Sequence, residues 1–341
     1  MQGDTRPHGF DDAIDWHRAA DWLRWHLADV DVPGLRLDAP LEVRQPDPHD
    51  THHHPVVRFG GADLALHTAG ASTPDATAHL ARTADWLTAL HPHYTPAPRV
   101  FVVCTDVSVL GRAFFVTAHR RGLIVGAHEP LALHDDGRRR ALAHALVESL
   151  ADLHSVDVKI PSLAAFGREP GALDRDLTRW LDRWAPLRGQ IPDLDAAALW
   201  LHAYEPADAL DPTVVHGSYG LTALRLDPLQ PDRILAVLDW ERASLGDPLS
   251  DLGTLLAGWV AVDADEPRST GLVTAKPGYP SRDELAAHYA RRTGRSLDGL
   301  AFHEVFGLFR RAVTLEGTTA SARQHAAAER LSAEARARAG R

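Results

Sequence analysis

Val214-Val-His-Gly-Ser-Tyr-Gly-Leu-Thr-Ala-Leu224 is followed by Ala236-Val-Leu-Asp-Trp-Glu241, and this pair of segments decides the reading of the chain. The first passes from an apolar run into a glycine-containing loop. A short strand is predicted around 223–226, and a second at 234–239 ends in acidic residues.

Working outward, apolar residues at Ile14, Trp16, Ala19, Trp22, Leu23 and Leu27 predict an amphipathic helix over 11–30, ended by Pro33 and Gly34. Strands are predicted at 41–44, 56–59 and 62–67, a helix at 74–90, and strands at 99–104 and 112–118 joined by a turn through Asp106–Gly111. Beyond residue 137 the pattern is mainly helical. Helices are predicted at 137–155, 171–187, 194–203, 249–261, 282–293, 301–319 and 321–339, with a short strand at 213–215. No internal repeat is evident. The expected fold class is therefore α+β, a small five-stranded N-terminal lobe followed by a larger helical lobe, with the crossover near Thr117–Gly122. The expected domains are 1–118 and 119–341.

Composition narrows the function classes. The 341 residues carry a formal net charge of −10, which argues against a nucleic-acid partner. A single cysteine, Cys104, excludes an internal disulfide framework and a cysteine zinc cluster. No run approaches the roughly 18 apolar residues of a membrane span, and the N-terminus lacks the apolar core of a signal peptide. A cytoplasmic protein with no membrane partner is expected. Only two lysines occur, Lys159 and Lys276, so no lysine is available in the N-terminal lobe.

The two opening segments resemble the catalytic core of the aminoglycoside phosphotransferase family, whose pattern is His-Gly-Asp-x-x-x-x-Asn followed by a strand ending in Asp-Trp-Glu. Ala141 to Asp157 looks like the family's first long helix of the larger lobe. Leu245-Gly-Asp-Pro-Leu-Ser-Asp-Leu-Gly253 also follows as expected. The stretch from Tyr289 and that from Phe302 to Gly317 are similar to one branch, which includes the kinase-like domain of some acyl-CoA dehydrogenases. The resemblance implies a protein-kinase-like two-lobe fold and, for an intact member, phosphoryl transfer from ATP with Mg²⁺ to a small-molecule hydroxyl, on an aminoglycoside-like or a hydroxyacyl compound.

Such transfer needs a carboxylate that orients the hydroxyl, metal ligands, and a cation with a glycine loop on the phosphates. On the family pattern, Ser218 stands at the base position and Ala223 at the metal-binding asparagine. Serine cannot take a proton at neutral pH unaided. His216 could assist it or could serve as a hydrogen-bonder of the loop. A Ser–His nucleophile pair lacks the Gly-x-Ser-x-Gly elbow here. Asp239 matches the main Mg²⁺ ligand or braces the loop, and Glu241 could assist it. Asp247 and Asp251 read as structural, Asp247 as a helix N-cap.

In the smaller lobe the candidate phosphate-positioning cation is His67, and Thr83 falls where its carboxylate partner is expected. The loop expected to cover phosphate, 45–55, has no glycine. Its Asp47 and Asp50 would repel phosphate. Its His49, His52, His53 and His54 read as a solvated loop or as metal ligands. Trp259, Phe302, His303, Phe306, Phe309 and Arg310 read as core or as a substrate-cleft wall.

Three functions are compatible with these residues. One is a kinase-fold protein that has lost phosphoryl transfer, a pseudokinase-type binding or regulatory protein with a small-molecule or protein partner. Another is an active ATP-dependent O-phosphotransferase in which His216 or Glu241 orients the acceptor and Arg58 meets the phosphates. The third is a different chemistry on the same scaffold.

Overall fold

The computed structural model describes residues 15–44, 54–126, 128–167, 171–207, 211–259, 273–317 and 322–340. Residues 11–14 of the first predicted helix, most of the 45–55 loop with Asp47, His49, Asp50, His52 and His53, and the predicted helical ends at 260–261, 318–319 and 321 lie outside them. The chain divides into two compact units. One comprises residues 1–126 and 222–241, the other 127–221 and 242–341. The first continuous stretch thus runs to Gly126 rather than 118, and residues 222–241 group with it rather than with the helical part.

The N-terminal unit is built on a five-stranded antiparallel sheet. Its strands are β1 (Leu41–Arg44), β2 (Val56–Phe59), β3 (Ala62–Thr68), β4 (Val100–Cys104) and β5 (Phe114–Ala118), in the order β1-β2-β3-β5-β4. One helix, α1 (Trp16–Leu27), starts where the Asp15 carboxylate accepts from the N–H groups of His17 and Arg18. Its Trp16, Ala19, Ala20, Leu23 and Leu27 share one core with Leu41, Val57, Phe59, Leu64, Leu66, Phe114 and Val116. The second, α2 (Pro74–Leu90), has Thr73 as N-cap and Pro74 in its first turn. The expected turn through 106–111 is instead one helical turn, α3 (Val107–Leu110), closed by Gly111 at φ 80°. Asp106 caps it through the Ser108 N–H, a local bond that competes with a plain turn.

Residues 222–241 add a hairpin, β7 (Leu224–Leu226) and β8 (Ile234–Val237), with Leu224 opposite Val237. It is tied to its own unit by Val237 N–H donating to Pro96 O at 2.9 Å and by Leu123 N–H donating to Leu226 O at 2.8 Å. Those bonds explain why the hairpin clusters with the sheet unit.

The second unit is helical: α4 (Asp136–His154), α5 (Pro161–Ala164), α6 (Ala172–Trp184), α7 (Pro192–Ala203), α8 (Pro248–Ala257), α9 (Arg282–Thr293), α10 (Leu300–Gly317) and α11 (Ala322–Ala339). Packed α6, α7, α10 and α11 enclose Leu177, Trp180, Leu194, Leu201, Val305 and Phe309. A small ribbon joins β6 (Thr213–Val215) to β9 (Ser244–Gly246), with Val214 opposite Leu245. Strand β9 has three residues, too few to show a period, and sequence pattern did not predict it. It brings the start of the 216–221 loop beside the start of α8. No helix among the described residues is long and apolar enough to cross a membrane.

Candidate functional site

The predicted site residues fall in both units. His216 and Ser218 belong to the helical unit, whereas His67, Ala223, Asp239 and Glu241 belong to the sheet unit.

In the helical unit, the Asp251 carboxylate on α8 holds the loop. Its Oδ2 accepts from His216 N–H and its Oδ1 from Gly217 N–H, each at 2.7 Å. His154, the last residue of α4, places Nε2 3.3 Å from Asp251 Oδ2 and Nδ1 2.6 Å from the Tyr289 hydroxyl. An ionised carboxylate only accepts, so Nε2 carries the hydrogen and Nδ1 accepts from the tyrosine O–H. Burial pushes the Asp251 carboxyl up. The hydrogen bond from His154, with the His216 N–H, outweighs it and leaves the group below the usual carboxylate range. Burial also pushes the Tyr289 hydroxyl well up, so it remains a donor.

The loop itself is closed internally. Ser218 N–H donates to His216 Nδ1 at 3.2 Å, and the buried His216 ring meets Tyr219 edge-on. Tyr219 O–H donates to Leu146 O on α4 at 2.9 Å. Gly217 has φ 81°, and a Cβ there would lie 2.7 Å from Cβ and O of Arg242, so only glycine fits. The backbone under Ser218 is therefore rigid, while its half-buried side chain offers a hydroxyl. Nδ1 of His216 is committed to that backbone and cannot also take an acceptor proton.

Asp247 caps α8 by accepting from Leu249 N–H at 2.8 Å, and its other oxygen lies 3.3 Å from His303 Nε2. Both aspartates thus have the architectural positions read from sequence. Trp259, Phe302, His303, Phe306 and Phe309 are all buried. Three of them, Phe302, Phe306 and Phe309, belong to one hydrophobic core. Arg310 donates to Thr254 Oγ1 at 2.5 Å, faces Asp176 at 3.6 Å and lies over the Phe306 ring.

In the sheet unit, Asp239 follows β8 with φ 68°, and it is the one non-glycine residue at positive φ among those described. An L residue held there is strained, and such strain concentrates at functional sites. Trp240 fixes the turn, its Nε1–H donating to Val237 O at 2.7 Å and its ring packing against Tyr94. Glu241 is exposed and Ala223 fully buried. A Mg²⁺ at this place would find the Asp239 carboxylate suitable. Position 223 supplies it with no ligand. Among the described residues, no group of three or more His, Cys, Asp or Glu is placed to hold a metal.

His67 is engaged within the sheet. Its Nε2 lies 3.0 Å from Thr117 Oγ1, and its ring stacks on Phe115 at 4.4 Å and meets His54 at 4.1 Å. Thr83, at the expected carboxylate position, returns its O–H to His79 O within α2. Arg58 is chelated by Asp63, with Nε to Oδ1 at 2.5 Å and Nη2 to Oδ2 at 3.0 Å. The roles of His154, Tyr219 and Tyr289 were not legible in sequence. The available signal was the polar residue closing an apolar helix in Leu153-His154-Ser155.

The model of the phosphotransferase enzyme family matches residues 49–285. The chain belongs to this family. It is 28% identical over 290 residues to mouse (Mus musculus) acyl-CoA dehydrogenase family member 10, covering 83% of this chain and 27% of that protein. The chain thus spans about a quarter of that relative's length. A Ralstonia eutropha protein provisionally described as an aminoglycoside phosphotransferase superposes with a TM-score of 0.74. It is 26% identical, and the match covers 96% of this chain and 98% of the other. The GDP complex of aminoglycoside 2'-phosphotransferase-IIIa gives 0.59 at 13% identity, covering 95% and 99%. The kinase-like α+β fold expected from sequence is thereby established.

As a member of the phosphotransferase family, the chain combines a braced loop and a strained Asp239 with a hydroxyl at 218 and a methyl at 223.

Proposed function

We propose that this chain is a phosphotransferase-family protein impaired in phosphoryl transfer, which binds a ligand or partner rather than turning over the family's substrates. The observation that carries this reading is Ser218 on a loop held rigid by Asp251, His216 and Tyr219. The scaffold that presents a catalytic carboxylate is kept, and the carboxylate is absent. General base catalysis typically contributes about 10²–10⁴-fold, which a serine hydroxyl would not supply. The engagement of His67 with Phe115 and Thr117, and of Thr83 with its own helix, supports the same reading.

A nucleotide is the ligand class suggested by the GDP-bound family structure, and Asp239 is the residue that would hold Mg²⁺ with it. Bound ATP would then serve as a structural or regulatory ligand. A small molecule or a protein would be the partner, and the cytoplasm the compartment.

The strained backbone at Asp239 favours a second reading, an active ATP-dependent O-phosphotransferase with a shifted constellation. The likeness to an acyl-CoA dehydrogenase relative would then point to a hydroxyacyl acceptor as readily as to an aminoglycoside.

Thermal unfolding with and without Mg²⁺·ATP, beside Asp239→Ala, tests nucleotide binding. Ligand at 100 times its Kd adds about 2.7 kcal/mol. A shift lost in the variant is expected, and no shift at millimolar ATP removes the nucleotide from the proposal. Comparing ATP turnover of the wild type with that of the Ser218→Asp/Ala223→Asn double variant tests the impairment. Gain of turnover in the double variant over an inactive parent is expected. Turnover by the wild type would favour the second reading.

A further inference from the structure

In the sheet unit, Arg58, Asp63, His119, Arg120, Arg121 and Leu235 line a cleft of about 480 Å³. That volume lies within the range of small-molecule sites, roughly 300–1,000 Å³. The chain as a whole has net charge −10, yet here three arginines surround one carboxylate.

Asp63 is largely buried, chelated by Arg58 and hydrogen-bonded to Arg121 as well. It neutralises one positive charge and fixes the directions of two guanidinium groups. Arg120 has no partner among the described residues. Counting three arginines against one aspartate, these side chains carry a charge of about +2. The supporting backbone is also fixed, because His119 N–H donates to Asp63 O at 3.2 Å.

The cleft is set apart from Asp239. Ile234 pairs with Leu226 at one end of the β7–β8 hairpin, whereas Leu238 N–H bonds Ala223 O at the other. Leu235 lies towards the first end. Two strand steps, about 7 Å, separate it from Val237, and Asp239 lies two residues beyond the end of the strand.

We propose that this cleft binds a small phosphorylated ligand, gripped by Arg120, Arg121 and Arg58. Planar guanidinium forks match phosphate oxygens in a bidentate manner. A phosphate dianion balances the local charge, while a single carboxylate would leave half of it uncompensated. Leu235 supplies an apolar contact for an organic remainder. The site is independent of phosphoryl transfer and does not require Mg²⁺.

Calorimetric titration with inorganic pyrophosphate in metal-free buffer tests the proposal on the wild type, Arg120→Ala, Arg120→Ala/Arg121→Ala and Asp239→Ala. Saturable binding is expected, weakened about threefold or more in the single variant and at least tenfold in the double variant, and unchanged in Asp239→Ala. Arg120 is exposed and has no partner among the described residues, so its variant should keep the parent's thermal unfolding. Comparing phenyl phosphate with inorganic phosphate separates an esterified ligand, held tighter through Leu235, from a free anion. Absence of saturable binding, equal binding by the double variant, or loss of binding in Asp239→Ala would overturn the assignment.

Discussion

Replacing Asp251 by asparagine should loosen the loop that carries Ser218. The carboxylate accepts two backbone N–H groups at 2.7 Å and faces His154 at 3.3 Å, fully buried. Asparagine keeps one acceptor oxygen and turns an NH₂ group toward the other donor. A charge-assisted hydrogen bond contributes about 1.5–3 kcal/mol, and a buried N–H left unsatisfied costs about 1–3 kcal/mol. The expected loss is about 3–5 kcal/mol, the range seen when one partner of a buried charged network is removed. Because the chain has two units, global unfolding need not be two-state. Hydrogen exchange resolved at residues 216–218, measured alongside thermal unfolding, is therefore the assay. Amide protection at Gly217 should collapse. At roughly 2–4 °C per kcal/mol for chains of 150–250 residues, the unfolding temperature of the helical unit should fall by at least about 6 °C. The Asp251 carboxyl lies below its ordinary range in the fold, so its contribution is present above the unfolded pKa of about 3.9. That contribution is lost as pH falls through the lower folded value, and the asparagine variant should lack this acid-side loss. Native protection at Gly217 in the variant, or a stability change under about 1 kcal/mol, would refute the reasoning.

Three further outcomes are expected. Gly253→Ala should destabilise the α8–α10 contact by about 1–3 kcal/mol, read in urea unfolding, because its Cβ would sit 2.5 Å from the backbone and Cβ of His303. Asp239→Gly should relieve the strain at φ 68° and leave the sheet unit at least as stable as the parent, by up to about 1 kcal/mol. A drop in its thermal unfolding would show that the side chain braces the loop. The Asp63 carboxyl is held at about 2 by Arg58, against burial, with Arg121 assisting. Its stabilisation should be complete above about pH 4 and vanish as pH falls through about 2, a transition followed by carboxyl-carbon NMR and absent in Asp63→Asn.

Much of the fold was legible because its elements are long enough to show a period. The apolar spacing of Leu80, Ala84, Leu87 and Leu90 is that of α2, and all four are buried. The alternation in Leu64, Leu66 and their neighbours is that of β3, buried at every second position. The helix predicted at 282–293 is α9, and the structure adds a capping box of Ser281 and Glu284 at its start. Local signals failed where the partner was remote in sequence. Strand β9 exists because Leu245 meets Val214, and the grouping of 222–241 with the sheet unit rests on bonds to Pro96 and Leu123.

The α+β class, the family pattern of the 216–223 and 236–241 segments, and a hydroxyl at 218 with a methyl at 223 were readable before any folding. Those are properties of residue identity and short-range order, which need no neighbour to be read. The fold, and nothing local, makes Asp251 clamp the loop through His216 and Gly217, makes His154 and Tyr289 complete its buried network, and stacks His67 on Phe115. It alone gathered Arg58, Arg120 and Arg121 around Asp63. Each of these depends on hydrogen bonds and charges between segments far apart in the chain, whose strength is set by burial and direction. Neither quantity exists until the chain has folded.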